Sequence, residues 1–274
     1  MLISHRYKFI FFECPKTAST SLRETLVDIL NNDGNGSYTK QTHLKENIDI
    51  LNDDWAGTDG EHDEWYTHIR PLEARHKLCR YGFSDENWQK YFKFSFVREP
   101  IDREISRFKY HINSRLTKMK NESDINNFII DASNMNLLEW VKKHPILPQH
   151  EWIIPHSDRD KNTIFFDWKY YIEMYPDLQE NGITTQQAAI DHWLVNGRYE
   201  GRKADTGVLD FVGRFEDLNN SFKTICNYIG IPYQKLLHKN KSTSKNVEII
   251  LNDTTVDYIR SYFKEDYSNY YPNY

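Results

Sequence analysis

The chain has 274 residues, enough to bury a sizeable core as one large domain or as a domain with an insert. A formal net charge of −5 and a pI near 6.1 argue against a general nucleic-acid binder, which carries a basic footprint, and leave room for a local basic pocket. The three cysteines, Cys14, Cys79 and Cys226, are odd in number and widely spaced, with no CxxC and no clustered histidines; they read as buried thiols in a reducing compartment, not as a disulfide frame or a zinc site.

In chain order, residues 1 to 8 lead directly into the apolar run Phe9 to Phe12, with no charged leader and apolar signal segment ahead of it. No apolar stretch approaches the roughly 20 residues that span a bilayer, so the expectation is a soluble cytoplasmic protein. The run Phe9 to Phe12 is too short for a helix and is closed by Cys14-Pro15, which predicts a buried strand. Ser19, Thr20 and Ser21 are candidate caps, and Leu22, Leu26, Val27 and Leu30 follow at helical spacing. Between strand and helix stands Lys16. The first amides of a helix, its dipole and the hydroxyls of Thr17, Ser19, Thr20 and Ser21 make such a turn an anion site.

Residues 31 to 63, rich in Asn, Asp, Gly and Thr, read as a long surface excursion with little core of its own, and Asn121 to Asn136 is similar in character. Residues 92 to 108 repeat the first pattern. An apolar strand ends at Val97, Arg98 leaves its end, Pro100 stands in a first helical turn, and Arg103, Ser106 and Arg107 follow on the helix. Two strand-to-helix anion sites suggest a ligand with two separated phosphates. From Asp167 to Arg202, aromatic and small residues predict two short helices joined around Asn181-Gly182. The whole alternates strand and helix, which favours an α/β fold: a mostly parallel central sheet flanked by helices, with ligands bound at the carboxyl ends of its strands.

Together these segments resemble the sulfotransferases that use 3′-phosphoadenosine 5′-phosphosulfate. Pro15-Lys16-Thr17-Ala18-Ser19-Thr20-Ser21 is similar to that family's 5′-phosphosulfate loop, and Val97 to Ser106 to its 3′-phosphate motif. Asp210 to Leu218 resembles a segment of the carbohydrate-directed branch, and Lys239, Asn240, Lys241 and Ser242 resemble a late polar loop that closes over the nucleotide. The resemblance implies one P-loop-like sulfotransferase domain over residues 1–274, a phosphosulfate donor, the product adenosine 3′,5′-bisphosphate, a saccharide or polysaccharide acceptor and no metal. Golgi members carry a membrane anchor ahead of the first strand, so its absence points to a bacterial, viral or similar cytosolic setting. Residues 167–204 form an inserted helical module, Tyr-Pro-Asp-Leu, His-Trp and a closing Gly-Arg, that resembles one found in surface-polysaccharide enzymes. A helical hairpin packed on the sheet is favoured over an acceptor-binding role for it. The family departs here at Ala18, where glycine is common, and at Glu99, where aspartate or asparagine is usual.

On this resemblance Lys16 faces the phosphosulfate bridge and steadies the departing nucleotide, while Arg98 and Ser106 hold the 3′-phosphate. His68 occupies the place where carbohydrate members keep a catalytic histidine, and imidazole suits the removal of a hydroxyl proton. His62, His76 and His111 are its rivals. Arg214 and Glu216 are expected to brace the sheet as an ion pair or to line the site. Trp65, Tyr66 and Trp152 are candidates to stack on sugar, or core and surface filler. Arg103, Arg107, Lys109, Arg115, Lys118 and Lys120 would attract an anionic acceptor or form a solvated helix face. Two other classes remain open. A kinase-like NTP enzyme is disfavoured because residues 11 to 21 lack the Gly-x-x-x-x-Gly-Lys-Ser/Thr cradle; a noncatalytic protein would keep the nucleotide fold to bind nucleotide and glycan.

Overall fold

The computed structural model describes residues 1–32, 51–52, 54–57, 66–121, 123–127, 136–153, 168–197, 200, 202, 209–236, 249 and 251–274. Among the described residues five strands make one sheet in the order β3-β1-β2-β4-β5: β1 Leu2–Ser4, β2 Phe9–Phe12, β3 Trp55–Ala56, β4 Phe92–Val97 and β5 Phe211–Arg214. Strands β2, β4 and β5 run parallel, with Phe12 opposite Ser95 and Val97 opposite Arg214. Their carboxyl ends therefore open on one edge, where parallel α/β sheets bind ligands. Strands β1 and β3 join antiparallel at the other side.

Strand β2 is buried on both faces, and its pleat sends alternate side chains to two cores. Phe9 and Phe11 meet Phe94 and Phe96 of β4 beneath α1 (Ser19–Asn32) and α10 (Leu218–Ile229), with the Phe11 and Phe94 rings stacked 5.1 Å apart. Ile10, Phe12 and Val97 face the opposite core. Leu78 of α2 (Pro71–Arg80), Trp88 of α3 (Asp85–Lys90), Trp152 of α6 (Gln149–Ile153) and Tyr271 fill it. A third cluster joins Phe108 and Ile112 of α4 (Pro100–Leu116) to Leu137, Trp140 and Val141 of α5 (Leu137–Lys143). Two further helices close the chain, α11 (Asp253–Tyr262) and α12 (Lys264–Tyr270).

Three expectations change here. Residues 1 to 8 are not a plain lead-in: Leu2, Ile3 and Ser4 pair with β2, and Lys8 takes a φ of 52° in the intervening turn. The excursion after α1 contributes to the core, because buried Trp55 pairs with Ile3 and Asp54 accepts from the Ser4 hydroxyl at 2.9 Å. The predicted pair of helices between 167 and 202 is more finely divided, into α7 (Trp168–Met174), α8 (Pro176–Glu180), α9 (Gln186–His192) and a wide turn at Trp193–Gly197. Pro176 lacks an amide hydrogen and restarts the chain as α8, and Gly182 turns it at φ 78°.

This module closes on its own residues. Tyr171, Ile172, Leu178 and Ala189 form a small core, and the Tyr171 hydroxyl lies 3.0 Å from His192 Nδ1. A Cβ at Gly197 would come within 2.0 Å of that hydroxyl, which requires glycine. Arg202 forks onto the Asp177 carboxylate at 2.9 and 2.8 Å and lies over the Tyr175 ring. The residues that make the module recognisable in sequence thus hold one another. Among the described residues no helix is long and apolar enough to cross a membrane.

Candidate active site

The first loop bears strain where an anion would sit. Lys16 and Ala18 both take the left-handed conformation, at φ 69° and 64°, with Thr17 between them. Each such residue with a Cβ costs roughly 1–2 kcal/mol. Alternation of this kind turns successive amides toward one side and forms an anion-binding concavity. The Thr17 hydroxyl is spent inside the loop, donating to the Cys14 carbonyl at 2.8 Å. Helix α1 begins at Ser19, and its first carbonyl comes from Ala18, which accepts from Leu22 at 3.1 Å. Ser19, Thr20 and Ser21, expected as caps, instead occupy the first turn. Alanine cannot cap, so among the described residues no side chain takes up the amides of that turn.

The second loop is held from three sides. Gln149 grips the Arg98 backbone with its side-chain amide, accepting from the Arg98 N–H and donating to the Arg98 carbonyl, both at 2.8 Å. Buried Asp266 fixes Gln149 in turn. It accepts from the Gln149 and His150 amides at 2.8 and 2.7 Å and lies 2.8 Å from His150 Nδ1. Glu99 caps α4 by accepting from the Asp102 amide at 2.8 Å, and Tyr267 donates its hydroxyl to the same carboxylate. The Glu99 N–H and the Tyr271 hydroxyl both donate to Glu216, at 2.8 and 3.0 Å. The unusual glutamate after Arg98 thus has a local role. Its longer side chain caps the helix and also reaches Tyr267 of α12.

Arg98 is left with its charge directed at the site. Its guanidinium lies 4.0 Å over the Phe215 ring, and Nε is buried without a hydrogen-bond acceptor among the described residues. Burial lowers its pKa, against the raising pull of Asp102, Glu216, Tyr271 and Glu99. Arg103, 1% exposed, ties the two loops together by donating to the Pro15 carbonyl at 3.3 Å, and its Nη2 also lacks an acceptor among the described residues. Arg107 donates to Glu104 and to the His144 carbonyl. Lys16 carries the electrostatic result. Burial first, then Arg98, then Arg107 hold its pKa down to about 8 from 10.5. Its ammonium sits 3.6 Å from the centroid of the Tyr110 ring.

His68 stands at the foot of the same loop. Its Nδ1 lies 2.7 Å from the Glu13 carbonyl, an oxygen that can only accept, so Nδ1 carries the proton and the neutral ring presents Nε2 as a base. Crowding by protein lowers its pKa below 6.5, outweighing the raising effect of Glu13. Among its rivals, His111 packs against Trp140 and His144, and His76 lies on α2; His62 lies outside the described residues, as do Trp65 and the loop Lys239, Asn240, Lys241 and Ser242.

Pro15, Lys16, Thr17, Ala18, Ser19, Thr20, Ser21, His68 and Arg98 therefore gather at the carboxyl edge, with Ser106 partly buried on the second turn of α4. Other expectations divide. Trp152 is core, and Tyr66 gives its hydroxyl to Glu73 at 2.6 Å. Glu216 lies beyond the end of β5 and accepts from the Glu99 N–H and the Tyr271 hydroxyl, while Arg214 lies over the Tyr271 ring; the expected ion pair between the two does not form. Of the basic set, Arg103 and Arg107 turn inward while Arg115, Lys118 and Lys120 are solvated. Arg103, Arg107 and Tyr110 are spaced i, i+4, i+7, one helix face, and that spacing was the available signal for the last two. Cys14 and Cys226 are buried, and burial pushes both thiols up to about 12, so neither is a nucleophile. No group of three or more His, Cys, Asp or Glu suited to a metal occurs among the described residues.

Two strand-to-helix loops lined by cations, the first of them strained at Lys16 and Ala18, thus stand at the carboxyl edge of an α/β sheet, the edge at which such sheets bind ligands. The family model for the Sulfotransferase family matches residues 1–272, and the chain belongs to that family of sulfuryl-transferring enzymes. No curated protein and no solved structure matches it.

Proposed function

We propose that the protein transfers the sulfuryl group of 3′-phosphoadenosine 5′-phosphosulfate to a hydroxyl of a saccharide or polysaccharide, releasing adenosine 3′,5′-bisphosphate. The observation that carries this reading is the convergence of Lys16, Arg98 and Arg107, close enough that both arginines depress the lysine. Three cations held together against their repulsion suit a ligand with several negative charges. Residues Pro15 to Ser21 take its 5′ side through backbone amides and hydroxyls; Arg98 and Ser106 take the 3′-phosphate, the arginine by charge-assisted hydrogen bonds. Lys239, Asn240, Lys241 and Ser242 complete the nucleotide site.

Catalysis in this reading is positioning and charge neutralisation. His68 Nε2 accepts the proton of the attacking hydroxyl, a role its neutral tautomer supports. Lys16 offsets the charge that builds on the phosphate oxygen as its bond to sulfur breaks. Residues 1–274 act as one domain, cytoplasmic, with 167–204 as an inserted module whose role is structural.

The test is transfer of radiolabelled sulfate from the donor to a panel of polysaccharides. Wild type transfers, and His68→Asn loses about 10²- to 10⁴-fold in rate while keeping its affinity for the bisphosphate. Transfer of phosphate from ATP would instead mark a kinase, and bisphosphate binding with no transfer to any saccharide a noncatalytic protein.

A further inference from the structure

Tyr110 has no place in the core, being 62% exposed, yet its ring lies 3.6 Å from the Lys16 ammonium. Among the described residues that ring is the ammonium's one close partner. The charged groups that face Lys16 are themselves cations, Arg98 from the end of β4 and Arg107 from α4. The carboxylates in this region act on the arginines: Glu104 accepts from Arg107, and Asp102, Glu216 and Glu99 pull on Arg98. A lysine on a flexible four-carbon stem between two guanidiniums would swing out to water. The face of an aromatic ring supplies the negative potential that opposes this, and an arriving anion, being a stronger partner, can replace it.

We propose that Tyr110 is a positioning residue, its ring holding the Lys16 ammonium over the loop in the unliganded enzyme, ready for the phosphosulfate. The proposal rests on the donor reading above. It makes the ring, not the hydroxyl, the necessary part, so Tyr110→Phe retains the effect and Tyr110→Leu removes it. The exposure of Tyr110 means that neither change disturbs the core.

Two measurements on the whole 274-residue chain test it. The first is the pH dependence of Lys16 acylation by acetic anhydride, read by peptide mass spectrometry, which needs no donor. The ring favours the charged amine, so Tyr110→Leu lowers the midpoint below the wild-type value near 8 while Tyr110→Phe leaves it in place. An unchanged midpoint in Tyr110→Leu overturns the proposal whatever the protein binds. The second is affinity for adenosine 3′,5′-bisphosphate near neutral pH, where Tyr110→Leu weakens binding roughly three- to tenfold and Tyr110→Phe restores it. Equal affinity in all three proteins overturns the positioning role. A wild type that binds no bisphosphate sinks the donor reading and, with it, the role of Tyr110 toward the donor.

Discussion

Replacing Lys16 by methionine is expected to stabilise the unliganded protein while abolishing its hold on a phosphate. The folded state holds the Lys16 pKa at about 8, against 10.5 when unperturbed. At about 1.36 kcal/mol per pH unit, this is roughly 3 kcal/mol by which folding disfavours the ammonium. Partial access to solvent and loss of the Tyr110 contact, worth about 1 kcal/mol, reduce the net gain to about 1–2 kcal/mol. For a chain of this size that is a rise of about 4 °C in Tm. The sign of the pH dependence follows from proton binding. Between about 8 and 10.5 the unfolded chain binds the proton that the folded chain has released, so wild-type stability rises with pH across that window. The advantage of Lys16→Met is therefore full below about pH 8 and gone near 10.5. Thermal unfolding of both proteins over a pH series measures it. A variant less stable than wild type near neutral pH, or a gap that ignores pH, would refute the idea of a lysine held against two arginines.

Other outcomes follow from the same geometry. Ala18→Gly relieves a left-handed residue, a gain of roughly 1–2 kcal/mol offset by about 0.5–1 kcal/mol of chain entropy, so a small rise in the urea midpoint is expected. Gly213→Ala sets a Cβ 2.5 Å from the fully buried Phe96 ring, which cannot withdraw, and costs about 1–3 kcal/mol in the same assay. Asp266→Asn puts an amide donor against either the Gln149 or the His150 N–H; it loses about 2–4 kcal/mol of stability, and it weakens the bisphosphate more than a 5′-monophosphate, because the clamp acts on Arg98. Equal weakening of both nucleotides in a titration calorimeter would confine Asp266 to a structural role.

What could be read in the sequence was what local signals mark strongly. The runs Phe9 to Phe12 and Phe92 to Val97, each closed by a proline-bearing turn and followed by helical spacing, became β2–α1 and β4–α4, although α1 takes in Ser19, Thr20 and Ser21 where caps were expected. Strands β1 and β3 escaped because three and two residues are too short to show a period, and their pairing is decided by distant partners. The N-cap role of Glu99 depends on Tyr267 and Glu216, each more than a hundred residues away, so no local pattern announces it. Arg103 and Arg107 looked like part of one basic face with Arg115, Lys118 and Lys120; the phase of α4 against the first loop turns the first two inward and leaves Arg115 in solvent, and the helix ends at Leu116, ahead of both lysines. Trp152 illustrates the converse. The sequence leaves it open as a sugar platform or as filler, and the packing of α6 on the sheet makes it core.

The central claim is a donor site built by two loops for two phosphates, and calorimetric titration with adenosine 3′,5′-bisphosphate tests it most directly, with ATP plus magnesium as comparator. The account predicts tight binding of the bisphosphate by wild type, lost in Lys16→Ala and in Arg98→Ala, each of which removes one phosphate's cation. Binding of ATP in preference to the bisphosphate, or bisphosphate binding indifferent to both substitutions, would contradict it.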